Sequence, residues 1–218
     1  ADDDSRVVAD AQGRLADRSL HEHTDRLVPS MYEVCDGVWC LVGNGLSNQT
    51  FVRGPEGIIA IDTGESVEEM RSALEHLRQV STEPVVAVVY THFHYVNGTV
   101  ALTEQEPITA VWGHERIAQN LERSATEIAP AYSRGLVEQF GIQLPGEGPD
   151  GLVNVGLGLA YRMAHHAPST PGYLPADHTF ADPVTVTVAG LEMLVTPAPS
   201  DADDSVTLWF PHLKVAVH

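Results

Sequence analysis

Between Ile58 and Val89 the chain spells out a strand, a capped helix and a second strand in direct succession, and this unit constrains the fold more than any other stretch. Ile58 to Ile61 is a short apolar run that stops at Asp62-Thr-Gly64. Ser66-Val-Glu-Glu69 then has the spacing of a capping box, which satisfies the free amides of a first helical turn. Apolar residues recur at Val67, Met70, Leu74, Leu77 and Val80, one face of a helix of about fifteen residues. Val85 to Val89 is apolar throughout and reads as a buried strand.

The flanking sequence extends the pattern. Met31 to Cys35, Val38 to Val42 and Gln49 to Arg53 read as short strands separated by Asp36-Gly37 and Gly43-Asn-Gly45, an antiparallel meander that Ile58 to Ile61 completes. Ile108 to Trp112 reads as a further strand, and a helix is expected from about His114 to Tyr132, with Ile117, Leu121, Ile128 and Tyr132 inward. Strands resume at Val184 to Val188, Leu191 to Thr196, Val206 to Phe210 and Lys214 to Val217. Alternating strands and helices make this an α/β chain. Residues 1–30 are polar and acidic, with a short helix expected near Asp17 to His23, and read as an extension packed on a domain spanning 31–218. Residues 135–183 are rich in Gly and Pro, and a loop that long is expected to bind or cover a ligand.

Composition excludes some partners. Twelve Lys plus Arg against thirty Asp plus Glu give a net charge of −18, which repels nucleic-acid phosphates and anionic membrane surfaces. No 18-residue apolar run is present for a membrane span. Cys35 and Cys40 read as ordinary half-buried thiols, so a reducing compartment, the cytoplasm, is expected.

Chemistry concentrates after the buried strand, in Thr91-His92-Phe-His94. On an extended backbone residues i and i+2 point to one side, so both imidazoles can reach one cation. Two neutral histidines leave a divalent cation short of ligands. The acidic loop Ser200-Asp201-Ala-Asp203-Asp204, which follows a strand, offers three carboxylates. The residues alone leave Asp201, Asp203 and Asp204 open. His21 and His23 form a second His-x-His without a strand to feed it, and read as a solvated face. His114, His165, His166 and His178 read as surface or loop histidines, with His165-His166 the substitute ligands should Asp201 not serve.

Gly37-Val-Trp, Gly43-Asn-Gly-Leu-Ser-Asn48, Gly57-Ile-Ile-Ala-Ile-Asp62-Thr-Gly, Tyr90-Thr-His-Phe-His, Tyr173-Leu-Pro and Thr196-Pro occur in an order that resembles the metallo-β-lactamase superfamily, in its alkylsulfatase branch, over about residues 26–217. The resemblance implies an αββα sandwich with a metal site at one edge of two packed sheets. It implies His92, His94 and an acid of the 201–204 loop as ligands, with Asp201 favoured because it follows a small polar residue. Asp62 is implied as the residue that supports the metal loops. The implied activity is hydrolysis of an organic sulfate ester by metal-activated water, with zinc the expected metal.

The chain departs from the family's His-x-His-x-Asp-His pattern, because Val96 and Asn97 stand where the second metal's ligands would be. Val96 cannot ligate and Asn97 offers only an amide, so one metal per chain is expected. Asn48 and Asn97 are candidates to donate hydrogen bonds to an anionic or oxygen-rich group beside the metal, with turn formation the other role open to them. Tyr173 is the third candidate substrate contact. Only 35 residues follow Pro183, ending on an apolar strand, so the fold is expected to be completed by a further segment or second polypeptide, with dimers of such units a further expectation. Two other readings carry weight: a repurposed single-metal enzyme acting on an activated or sulfated intermediate, and a non-catalytic scaffold that binds a partner.

Overall fold

The computed structural model describes residues 6–218. Residues 1–5 of the expected N-terminal extension lie outside the described residues. The rest of it forms a hairpin of β1 (Val7–Ala9) and β2 (Leu15–Asp17), followed by α1 (Arg18–Thr24), which Asp17 caps by accepting from the Ser19 amide. Hydrogen bonds pin it to the loop at 148–156: Arg14 donates to the Leu152 carbonyl and Asn154 to the Leu20 carbonyl. His23 joins this seam by meeting the Gly156 carbonyl, while His21 meets the Val8 carbonyl within the N-terminal segment, so they are not the solvated pair the sequence suggested.

The main body begins with β3 (Ser30–Cys35), β4 (Val38–Val42), β5 (Gln49–Gly54) and β6 (Gly57–Ile61), paired antiparallel in sequence order as the meander requires. Helix α2 (Val67–Leu77) then returns the chain to β7 (Val85–Val89), parallel to β6. Its start follows the expected box in part: the Ser66 hydroxyl accepts from the Glu69 amide at 3.1 Å. Next come α3 (Thr99–Gln105), β8 (Ala110–His114), α4 (Ile117–Ala125), α5 (Ala129–Phe140) and β9 (His178–Phe180), with β8 and β9 extending the sheet in parallel. A second sheet, all antiparallel, contains β10 (Val184–Val188), β11 (Leu191–Pro197), β12 (Val206–Phe210) and β13 (Val215–Val217).

Strand alternation builds two cores. Ile58 and Ala60 of β6 face the helices with Met70, Leu74 and Leu77 of α2, whereas Ile59 and Ile61 face the second sheet with Met193, Val195, Val206 and Leu208. An irregularity in the β6–β7 register shifts the parity of β7, so that Val88 and Tyr90 join the helix side while Ala87 and Val89 join the inter-sheet side. Helices therefore cover one outer face, and the sheets pack against each other as the α/β sandwich expectation requires. Val184 and Trp209 of the second sheet are each 37% exposed. Cys35 and Cys40 are free thiols.

The expected helix over 114–132 is two helices. Pro130 sits in the first turn of α5, where its missing amide and fixed φ are suited to starting a helix but not to continuing one. As a result α5 runs on to Phe140, into the region expected to be loop, and ends at Gly141 in the left-handed conformation (φ 56°). The irregular stretch is thus 141–177, broken only by a single turn at Ala164–His166, rather than 135–183.

Candidate metal centre

Parallel strands β6 and β7 bring their carboxyl ends to one edge of the sheet, the place where open α/β sheets carry their sites. Asp62 leaves β6 with φ 57°, an uncommon conformation for a side-chain-bearing residue, and is 7% exposed. Its carboxylate accepts from the Thr91 amide at 2.8 Å and the Thr91 hydroxyl at 2.6 Å, tying β6 to the end of β7. The Thr91 oxygen lies 2.8 Å from His92 Nδ1. With its proton given to Asp62, that oxygen accepts from Nδ1–H, and His92 Nε2 keeps its lone pair for a cation. Asp62 is thus linked to His92 through Thr91.

The histidines do not sit on one extended strand. His92 is extended (φ −167°), but Phe93 to Tyr95 form a 3₁₀ turn, so the two rings meet edge to face with centroids 5.1 Å apart. His94 Nδ1 lies 3.3 Å and His92 Nε2 4.0 Å from Asp201 Oδ2. All three ligand atoms lie within 4.8 Å of one another. A tetrahedral zinc places neighbouring ligand atoms about 3.4 Å apart, so a small inward movement closes this set on one ion. The donor set fits a divalent cation and leaves a coordination position open.

The loop after β11 selects among the aspartates. Val206 donates to the Thr91 carbonyl at 3.0 Å, which docks the loop beside the histidines. Asp201, its side chain 61% exposed, points to them and accepts from Ser200 Oγ at 3.1 Å. Asp203 turns outward to Arg116 (3.0 Å) and Asn120 (2.8 Å). Asp204 is fully buried, neither of its carboxylate oxygens in a well-formed hydrogen bond, and burial pushes it up to about 6 against the pull of Asn120.

Electrostatics suit metal binding. Burial and then the neighbouring His94 depress His92 to about 4, and burial lowers His94 too, so both rings are neutral near pH 7. Burial pushes Asp201 up, but His92 and His94 outweigh it and hold its carboxyl below the usual range. Burial raises Asp62 to about 7 against the pull of its Thr91 hydrogen bonds.

The other candidates divide. Asn48 is exposed and lines a 270 Å³ cavity with Asp62, Thr91, His92 and Tyr95. Asn97 is held by its backbone, donating to the Gly64 carbonyl and accepting from Gly172, and it lines none of the three cavities beside the histidines. Tyr173 packs its ring 6.1 Å from Tyr90, at the margin of the helix-side core, and is likewise absent from those cavities. Val96 is 0% exposed and belongs to that same core. His166 and His114 are buried rather than surface groups, whereas His178 is exposed and stacks on Trp112. His165 and His166 face each other in the turn at 164–166 and are not brought to the site.

Sequence reasoning missed a second cavity of 260 Å³ on the other side of His94 and Asp201, into which Glu65, Tyr95, Tyr132 and Tyr161 project. Glu65 directly follows Asp62-Thr-Gly64 and Tyr95 directly follows His94, adjacency that was the available signal. Burial pushes Glu65 up to about 7. A larger surface depression, 560 Å³ at the β5–β6 turn, lies at the opposite end of β6 and is lined mainly by glycine, proline and glutamate.

Two stacked sheets, helices on one outer face, and two histidines with a carboxylate at the strand ends define an α/β sandwich with a candidate metal site at one edge. Residues 42–217 match the metallo-beta-lactamase superfamily, and the chain belongs to it. It is 32% identical over 172 residues to a linear primary-alkylsulfatase of Pseudomonas sp. (strain ATCC 19151), covering 76% of this chain and 31% of that protein. The stereoselective inverting sec-alkylsulfatase Pisa1 from Pseudomonas sp. superposes with a TM-score of 0.75 at 20% identity, covering 97% of this chain and 37% of that one. A metallo-beta-lactamase family protein from Thermus thermophilus gives 0.55 at 19% identity, covering 85% and 59%. The chain therefore spans about a third of the alkylsulfatases it matches.

Proposed function

We propose that this chain carries the metal-binding part of a hydrolase of the alkylsulfatase type, acting on an organic sulfate ester. The observation that carries this reading is the convergence of His92 Nε2, His94 Nδ1 and Asp201 Oδ2 beside three cavities. Two imidazoles and a carboxylate suit zinc, which when bound supplies a Lewis acid for the ester oxygen and lowers the pKa of water. The chain's own residues do the remaining work. His92 and His94 stay neutral and lone-pair-bearing, Asp62 fixes His92 through Thr91, and Asn48 offers an amide to an anionic oxygen across the 270 Å³ cavity. Val96, buried in the helix-side core, supports one metal per chain and with it a second reading, a single-metal enzyme repurposed to an activated or sulfated intermediate.

Metal content measured on material of known intact mass tests both. About one equivalent of zinc, lost in His92→Ala and His94→Ala, together with sulfate release from an alkyl sulfate, supports the hydrolase. One equivalent without sulfate release transfers the reading to the repurposed enzyme, and no metal removes both. The half-exposed face at Val184 and Trp209 is where a polypeptide carrying the fourth layer of the sandwich would seat, whether continuous with this chain or separate. The same intact-mass measurement shows whether such a species copurifies.

A further inference from the structure

The 260 Å³ cavity behind His94 and Asp201 has a chemistry of its own. One wall is aromatic: Tyr95 from the histidine turn, Tyr132 from α5, and Phe140 stacked on Tyr161 with centroids 5.2 Å apart and planes at 28°. Glu65 supplies a carboxylate that acts electrostatically on all three tyrosines. Among the described residues, no lysine or arginine lines it. One cation already lies at its margin: the Arg162 guanidinium sits 5.3 Å over the Tyr161 ring and partly offsets the Glu65 charge without forming an ion pair with it. Aromatic faces present negative charge, and a carboxylate among them favours a positive guest over a neutral or negative one.

We propose that this cavity binds an organic ammonium group, so that the substrate of the metal centre is an ester whose alcohol portion carries a positive charge. The inference rests on the hydrolase reading only for that last step. The ester's anionic end faces His92, His94 and Asp201, and its ammonium end lies among Glu65, Tyr95, Tyr132 and Tyr161. An anionic group would be repelled from the cavity by an ionised Glu65, which gives the two ends of such a substrate one favoured orientation.

Binding of hexyltrimethylammonium, hexanol and hexyl sulfate to metal-free protein, measured calorimetrically well above pH 7, where Glu65 is ionised, and in about 0.15 M salt so that exposed charges are screened, tests this. The ammonium compound is expected to bind at least tenfold more tightly than the other two. Glu65→Gln and Tyr132→Ala should each weaken it at least tenfold, while Glu75→Gln, on the exposed face of α2, leaves it unchanged and controls for the overall charge of −18. Tyr132 is itself 37% exposed, so its truncation is compatible with folding. Equal binding of the three probes, preference for the sulfate, or full ammonium binding by Glu65→Gln overturns the proposal. Metal content is read separately: ammonium binding by a protein that takes up no zinc leaves the cavity assignment standing and removes the hydrolase.

Discussion

Glu69 offers the sharpest test of the electrostatics beneath this site. It stands in the first turn of α2, 3% exposed, and its carboxyl accepts from the Gln49 side chain at 2.8 Å and from the Glu65 amide at 3.2 Å. Gly45 and Gly64 close over it, and a β-carbon on either would lie 2.3 Å from Glu69 Oε1. Burial raises this acid from 4.5 to about 8, with the Glu65 charge adding to the effect and the hydrogen bonds opposing it. The folded protein therefore keeps a proton that the unfolded chain releases. Stability from this group is complete below pH 4.5 and is lost as pH rises through about 8. Between about pH 5 and pH 8 the loss comes to about 3 kcal/mol.

Glu69→Gln removes that dependence at the expense of one acceptor, since an amide nitrogen cannot receive the Glu65 N–H, a penalty of about 1 kcal/mol. Near pH 5 the variant should match the parent or fall slightly below it, and by pH 8 it should be more stable by about 2–4 kcal/mol. Urea unfolding of the metal-free proteins, followed by tryptophan fluorescence at both pH values, measures the crossover. Asp62 and Asp204 are present in both proteins, so their own raised values largely cancel in the difference, whereas Glu65, coupled to Glu69, adds to the effect that the substitution removes. A stability difference that is the same at both pH values would refute the reasoning.

Four further outcomes follow from the geometry. Asp62→Asn, which keeps an acceptor for Thr91 but not a carboxylate, should weaken zinc binding roughly tenfold in a competitive chelator titration, with the fold retained by circular dichroism. Val96→Asp places a carboxylate in the helix-side core and should destabilise by about 3 kcal/mol in urea without raising metal content above one equivalent; two equivalents would show that the second site survives. Gly98→Ala puts its β-carbon 2.0 Å from the Thr63 carbonyl oxygen, a backbone clash expected to lower stability by about 2–3 kcal/mol in the same assay. Zinc should raise the melting temperature of the parent but not of His94→Ala, because only the native ligand set binds it tightly.

The strand, helix, strand unit was legible because each element carried its own periodicity and the helix its own capping serine. The antiparallel meander was legible from its glycine turns. What local pattern could not carry was long-range. The break between α4 and α5 turned on Pro130, whose place in a first turn is compatible with helix on its C-terminal side only. Asp201 could be set apart from Asp203 and Asp204 only by the family resemblance, because the residues as such are three acids within one short loop. Docking against β7 then turns Asp201 to the histidines, Asp203 to Arg116 and Asp204 inward. Asn97 and Tyr173 looked like site residues by proximity in sequence to a motif or within one, yet backbone pairing with Gly64 and Gly172 and packing on Tyr90 take them elsewhere.

Val96 shows why sequence and structure had to be read together. As a letter in the histidine motif it is a missing ligand. In the fold it forms a parallel bridge with Gly64 and fills the core beneath α2, while the adjacent Tyr95 opens toward the aromatic cavity. The position that loses a metal ligand therefore gains apolar packing under the segment that presents Glu65, so the altered motif and the acidic, aromatic cavity are joined by one stretch of backbone. Both halves of this edge of the sheet are in contact: the candidate ligands on one side of His94, and the acidic, aromatic cavity on the other.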